Sequence, residues 1–517
     1  MLTMMAALDR TQQLYGNRPA ITDKEGSFTW HEHMDRVKRA ATVLQSLGVQ
    51  RGERFGVICH NSFRQAELFH AAYWSGVIPV PINYRLAPAE MQFILEDADC
   101  HLVVVEDVFL DVFKDSAFAP WHDKAMVVAA NTVDTHYPQY EAELARAVPA
   151  QAVESAEDDD ALLLYTGGTT GRSKGVRLTH RNLYTNGMQC TIAQHVRSDD
   201  VYLHVAPMFH AADLQASCFT LMGACHCYLP AFTGKAFLSA IQEFRITKAM
   251  AAPTMIIMTL SNEDPAQYDL SSLEVLLYGS SPMDVEWIKK AMQAFPNVDL
   301  QQSYGLTETS PILTAQNIKD MRQALESGDT DILRSAGQPV MGVRLRIVDE
   351  HGEELPVGEP GEVVVKAANV TKGYLNRPEE NQRAFRNGWF HTGDVGRVDE
   401  NGYLYLMDRK KDMVVTGGEN VYTSEVEAAI YKHPRVHEVA VFGVPDETYG
   451  EALVAAIVPI SDTSLSADEI IAHCRSYIGG YKIPRRITFI DAMPKSAMGK
   501  ILKNVLRRTY SENQLNS

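Results

Sequence analysis

RFGVICHNSFRQAELFHAAYWSGVIPVPIN, residues 54–83, reads as strand, helix, strand. RFGVICH (54–60) is a short β-rich run, AELFHAAYWSG (66–76) has helical spacing and closes on Gly76, and VIPVPIN (77–83) returns to β-rich composition. Around it lie RVKRAATVLQSL (36–47), a helix ending at Gly48, and the strand HLVVVED (101–107). Strands alternating with helices predict a parallel sheet covered by helices. The rhythm returns over 236–310, with a helix at AFLSAIQEF, then KAMAAPTM, then LEVLLYGSS as a buried strand. From 343 to 374 the texture changes to short strands with Gly and Pro turns, which predicts a small antiparallel, β-barrel-like subdomain. After DRKKD (408–412) come strands at DMVVT, EVAVFGV and ALVAAIVP and helices at SEVEAAIYKHP and ADEIIAHCRSYI, a compact α+β unit of domain size. The expected architecture is α/β, with a large domain over 1–409 and a small α+β domain over 410–517.

The chain has 517 residues, too many for one ordinary core. Apolar residues make up 45% and charged residues 22%, the balance of a globular protein. No apolar run reaches the ~18 residues of a membrane helix. Met1–Arg10 has neither a basic start nor a long apolar run, so no signal peptide is read and a cytoplasmic location is expected. The net charge of −17 argues against a protein that coats nucleic acid. Small anionic substrates stay compatible, because a local basic pocket can sit on an acidic protein. Seven scattered cysteines read as reduced thiols. Cys218, Cys225, His226 and Cys227, with His204 and His210 upstream, lie in or near an apolar stretch and read as core rather than zinc ligands.

ALLLYTGGTTGRSKGVRLTH (161–180) runs a buried strand into Thr166, Gly167, Gly168, Thr169, Thr170, Gly171, Arg172, Ser173 and Lys174. Glycines let the backbone approach a ligand closely. Successive N–H groups, hydroxyls and one lysine form an anion cradle. The spacing is not that of a P-loop.

This segment resembles the phosphate-binding signature of the adenylate-forming superfamily, in its acyl-CoA synthetase branch. Further matching stretches follow in order, and the resemblance covers nearly the whole chain. By resemblance, His210 in Pro207-Met208-Phe209-His210 gates or positions an acyl group, and Ser280, Ser281 and Pro282 line adenine. In Gln302-Ser303-Tyr304-Gly305-Leu306-Thr307-Glu308, the resemblance implies that Tyr304 offers adenine a flat face, Thr307 a hydroxyl to the α-phosphate and Glu308 an oxygen ligand to Mg²⁺. Asp394 in Trp389-Phe390-His391-Thr392-Gly393-Asp394 would hold the ribose hydroxyls with Arg409, and Lys411 would be the hinge of a mobile C-terminal domain. Gly417, Gly418 and Glu419 would line the coenzyme A tunnel. Lys500, in Pro494-Lys495-Ser496-Ala497-Met498-Gly499-Lys500, would be the catalytic lysine, with Lys174 and Glu308 as its partners in catalysis. Two positions depart from the family's usual pattern: Gly167, often Ser, and Ser173, often Pro.

The implied reaction joins two anions, a carboxylate and ATP, so positive charge must screen them. ATP, Mg²⁺ and coenzyme A are the implied partners, with an acyl-adenylate as intermediate. By resemblance, residues around Phe209–Gln215, Tyr278–Ser281 and Leu306–Leu313 line the acid's pocket; they are mostly apolar, which points to a fatty or other apolar acid, and Asp213 is the one candidate partner for an amino group. Between Gly479 and Tyr510 eight Lys/Arg stand against Asp491, a local basic excess suited to polyanions. A stand-alone enzyme that loads a carrier protein and a non-catalytic nucleotide-binding module remain as alternatives. A homo-oligomer is compatible with the sequence.

Overall fold

The computed structural model describes residues 1–515 except 132, 167–172, 282, 329–330, 411, 417–418, 447–448, 461–464 and 496–500. The chain divides into two compact units, Met1–Arg344 with Val365–Phe390, and Leu345–Val364 with His391–Ser517.

In the first unit the strand–helix–strand reading holds. Arg54–Ile58 pairs in parallel with Ile78–Pro81 on one side and Cys100–Glu106 on the other, and Ala125–Val128 completes a four-stranded parallel sheet. The connecting helix, Phe63–Ser75, starts three residues before the AELFH run because the Ser62 hydroxyl accepts from the Gln65 N–H. It ends on Gly76 at φ +73°, the left-handed cap that glycine takes at no steric cost. Every residue of this helix is buried, including Glu67. Burial pushes the Glu67 carboxyl above its ordinary value, against the opposing Arg36 guanidinium at 2.6 Å. Arg36 and Arg64 also both pair with Glu141, so the buried charge is compensated.

A larger sheet carries nine strands among the described residues, in the order Gln338–Pro339, Thr314–Ala315, Asp299–Tyr304, Val275–Gly279, Lys248–Ala251, Val201–His204, Cys225–Tyr228, Pro19–Thr22 and Ser27–Thr29. From Asp299–Tyr304 to Pro19–Thr22 neighbours are parallel; the outer pairings are antiparallel. Helices Gly234–Phe244, Pro253–Asn262 and Val285–Ala294 connect its strands, as the rhythm over 236–310 predicts. Cys225–Tyr228 is buried throughout. His226 bonds to His204, which bonds to Asp213, at 2.9 and 2.8 Å. This cysteine–histidine group is packed core. A two-stranded antiparallel hairpin, Asp160–Thr166 with Lys174–Thr179, completes the scaffold of the site.

Gly361–Lys366, Trp389–Val398 and Leu404–Arg409 belong to one five-stranded sheet with Arg344–Val348, the short-stranded texture read from 343 onward. A second five-stranded sheet runs Glu419–Val421, Val414–Thr416, Gly450–Pro459, Val436–Asp446, with Arg486–Phe489 added in parallel to Gly450–Pro459. Helices Thr423–Tyr431 and Ala467–Cys474 pack on it through Val426, Ile430 and Ile470. Compactness thus groups residues 345–364 and 391–409 with the C-terminal part.

Candidate active site

The hairpin strand Asp160–Thr166 is apolar and buried along Ala161–Leu164, and its end pairs Thr166 with Lys174. Gly167, Gly168, Thr169, Thr170 and Gly171 lie outside the described residues. Lys174 extends its ammonium to 3.7 Å from Glu380 Oε1 and 5.4 Å above the ring of Tyr374.

Strands Val275–Gly279 and Asp299–Tyr304 are parallel neighbours, with Gly279 opposite Ser303. Their carboxyl ends therefore deliver Ser280 and Tyr304 to the same sheet edge, where open α/β sheets bind ligands. Ser280 is exposed and takes φ +69°; Pro282 lies outside the described residues. Gln302 and Ser303 are buried, and the Ser303 hydroxyl accepts from Gln215 at 3.0 Å. Their side chains shape the edge from below, whereas Tyr304, Gly305, Thr307 and Glu308 are partly exposed. His210 caps the short helix Ala211–Ala216, its Nδ1 accepting from the Ala212 N–H at 3.2 Å. With Nδ1 accepting, the proton of a neutral His210 ring sits on Nε2. Asp213, the candidate partner for an amino group, is buried and bonded to His204, so it is committed to the core.

The turn after Tyr304 is held by the segment Asn369–Leu375, which carries none of the sequence motifs. Asn369 donates to the carbonyls of Thr309 and Ile312, both at 2.6 Å. The Ser310 hydroxyl donates to the Asn369 carbonyl at 2.9 Å. Thr371 N–H donates to the Glu308 carbonyl at 2.7 Å, and the Tyr374 hydroxyl donates to Glu308 Oε1 at 2.8 Å. The same segment pairs with the hairpin strand: Leu375 N–H donates to Gly175 O at 2.8 Å and Arg177 N–H to Gly373 O at 3.1 Å. Lys174, Glu308 and Tyr374 thereby meet. Asn369, Thr371 and Tyr374 carried only an extended, polar texture in the sequence; the nearest signal was the Gly373-Tyr374 pair ending that stretch.

In the second unit Asp394 and Arg409 face each other across the Trp389–Val398 and Leu404–Arg409 ladder and form an ion pair at 2.6 Å. Asp394 is buried and the Arg409 side chain half-exposed. Nearby, burial alone would raise the Glu362 carboxyl, but His391 at 3.2 Å and Lys410 at 3.1 Å more than offset it and hold it below its ordinary value. Glu419 sits opposite Thr416 in a tight antiparallel pair. Lys411, Gly417, Gly418 and Lys500 lie outside the described residues. Four of the eight cations of 479–510 have acidic partners within this unit. Lys482, Lys495, Lys503 and Arg507 pair with Glu425, Glu438, Glu427 and Asp412, so much of this charge is neutralised within the unit.

Residues 8–375 match the model of the AMP-binding enzyme family, and residues 425–500 match that of the AMP-binding enzyme C-terminal domain. The chain belongs to the AMP-binding enzyme family. As such it is a member of the adenylate-forming superfamily, and its relatives are acyl- and aryl-CoA ligases. This AMP-binding enzyme is 35% identical over 503 residues to feruloyl-CoA synthase from Amycolatopsis sp, spanning 97% of this chain and 98% of that protein. It is 36% identical over 486 residues to long-chain-fatty-acid–CoA ligase FadD13 of Mycobacterium tuberculosis, spanning 92% and 91%. Its fold superposes on ATP-bound MatB from Rhodopseudomonas palustris with a TM-score of 0.88 at 30% identity, covering 98% of this chain and 99% of that one. Among the described residues of this AMP-binding enzyme, no helix is long and apolar enough to cross a membrane.

Proposed function

We propose that this protein activates an apolar carboxylic acid with ATP, forming an acyl-adenylate and pyrophosphate, and transfers the acyl group to coenzyme A with release of AMP. The observation that carries the proposal is the meeting of Lys174 and Glu308 on Tyr374. An ammonium and a carboxylate stand at the end of the hairpin whose Gly/Thr loop has the composition of a phosphate cradle. Its relatives among CoA ligases support the same reading.

The two reactants are both anionic, so their approach needs fixed positive charge. Lys174 supplies one ammonium as a mobile point charge. Lys500 supplies a second for the adenylation step. Asp394, paired with Arg409, accepts the ribose hydroxyls, and Ser280, Ser281, Pro282 and Tyr304 border the adenine. Gln302, Ser303 and Gly305 shape that border. Thr307 donates to the α-phosphate. Thr166 and residues 167–171 hold the remaining phosphate oxygens, and Gly417, Gly418 and Glu419 serve coenzyme A. Motion of the C-terminal part about Lys411, within a division at 409/410, belongs to the same proposal.

A divalent cation fits at Glu308. Among the described residues no group of three or more His, Cys, Asp or Glu could cage a metal. One partly exposed carboxylate suits Mg²⁺, which binds through one or two carboxylates with phosphate oxygens and water. When bound, it would supply charge neutralisation along the phosphates.

The acid is read as apolar because Phe209, Ala211, Leu214, Pro311 and Ile312, which line its pocket by resemblance, are apolar, and Asp213 is engaged by His204. Both fatty and aromatic acids match that lining. A panel of carboxylic acids assayed for pyrophosphate release, with and without coenzyme A, tests the proposal. Acid-dependent pyrophosphate release with acyl-CoA formed only when coenzyme A is present is the expected result. Release independent of any acid would refute it.

A further inference from the structure

Tyr374 stands between the two charged groups of the nucleotide end. Its hydroxyl donates to Glu308 Oε1 at 2.8 Å, and its ring lies 5.4 Å beneath the Lys174 ammonium. Few side chains can do both. A phenol offers a donor at its rim and an electron-rich face that attracts a cation.

The backbone that carries Tyr374 is held on both sides. Tyr374 N–H donates to Asn381 Oδ1 at 2.7 Å, and Asn381 Nδ2 donates back to the Tyr374 carbonyl at 2.9 Å. On the other side Tyr374 bridges Val176 of the hairpin strand. Gly373 takes φ +134°, and a Cβ there would lie 2.7 Å from Asn381 Oδ1, so the approach of this clamp requires glycine. A tyrosine ordered only for packing would not need its hydroxyl aimed at a carboxylate on another turn.

We propose that Tyr374 is the positioning residue for the nucleotide end of this site. The proposal rests on Glu308 being the cation ligand. With Oε1 engaged by the phenol, the carboxylate cannot spin, and Oε2, which has no hydrogen-bond partner among the described residues, is presented to a cation. The ring face meanwhile keeps Lys174 extended. Glu380 at 3.7 Å is beyond direct hydrogen-bond range, so the lysine leaves it readily for a phosphate oxygen.

The test measures binding rather than turnover, on the full chain, with α,β-methylene-ATP as an unreactive probe and the Mg²⁺ concentration for half-maximal binding as readout. Tyr374→Phe keeps the ring and loses the donor. It is expected to raise the Mg²⁺ requirement roughly three- to tenfold, the scale of one ordinary hydrogen bond. Tyr374→Leu also removes the ring and is expected to weaken metal-free binding as well. Para-aminophenylalanine at position 374 returns a donor to the same ring and is expected to restore the Mg²⁺ requirement to within about twofold of wild type. A Tyr374→Phe protein with the wild-type Mg²⁺ requirement, beside a Glu308→Gln protein with a raised one, would overturn the role of Tyr374 and leave the Glu308 assignment standing. Failure of the para-amino ring to restore metal binding would likewise count against a positioning role. A Glu308→Gln protein indistinguishable from wild type would remove the cation site itself, and the proposal with it.

Discussion

A methyl group on residue 305 would sit 1.7 Å from the carbonyl oxygen of Pro311. That carbonyl cannot easily retreat, because Asn369 holds the flanking carbonyls of Thr309 and Ile312. The glycine is what lets the chain fold back so tightly that Thr307 and Glu308 follow directly on the sheet edge. Gly305→Ala is therefore expected to shift the Thr307–Glu308 turn by a fraction of an ångström to an ångström while the sheet stays folded. Displacement on that scale costs about a hundredfold in turnover. Steady-state kcat/KM beside circular dichroism checks this; unchanged kcat/KM would mean the turn is not a reacting element. At this scale the sequence shows Glu308 and Lys174 but not Tyr374. The Tyr374–Glu308 bond joins residues 66 apart, and such a pairing leaves no trace in local periodicity or motif spacing. The same holds for Ser303, whose small polar side chain looks available in sequence and proves to be buried against Gln215.

The helix His180–Ala193 follows the hairpin and opens with a capping box between Thr179 and Asn182. Its first residue, His180, is buried and accepts from the Met4 N–H through Nδ1 at 3.3 Å, which requires the neutral ring. Burial pushes its pKa down to about 4, against the opposing pull of Asp159 and Asp160. An unfolded chain takes up this proton near pH 6.5, where native His180 does not. The unfolded state thus binds more protons between about 6.5 and about 4, and His180 makes stability fall as pH drops through that window, by up to about 3 kcal/mol. Above it both states are neutral and His180 adds no pH dependence. His180→Asn is expected to flatten that share of the slope of unfolding midpoint against pH; a slope identical to wild type would contradict the assignment. Elements themselves were largely legible, because strand and helix periods are local properties. AELFHAAYWS lacks a polar face and is a wholly buried helix, and its start depends on the Ser62 cap just upstream. The acidic partners of the basic stretch near the C-terminus were not legible, because they lie elsewhere in the sequence. Counting charges along 479–510 does not reveal Glu425, Glu427, Glu438 and Asp412, which folding brings to those cations.

Across the whole molecule, two compact units hold different parts of the candidate chemistry: Lys174, Glu308, Tyr304 and Tyr374 in the first, Asp394 and Arg409 in the second. Parallel α/β architecture was readable from the alternation of strands and helices. The grouping of 345–364 and 391–409 with the C-terminal part was not, since it depends on which strands pair across long stretches of chain. The account separates the two half-reactions by residue. Lys500→Ala is expected to lower ATP-dependent adenylate formation by about a hundredfold or more, the scale of losing one group that stabilises developing charge. Thioester formation from supplied acyl-adenylate and coenzyme A should stay near the wild-type rate. Equal loss in both assays would mean that Lys500 acts on folding rather than on adenylation. The central claim, attack of a carboxylate on the α-phosphorus of ATP, is tested most directly by following oxygen. An accepted acid carrying a heavy oxygen isotope in its carboxylate is turned over with ATP and coenzyme A, and the AMP is weighed by mass spectrometry. The account predicts one heavy oxygen in the phosphate of AMP; unlabelled AMP, or label appearing in inorganic phosphate with ADP as product, would contradict it.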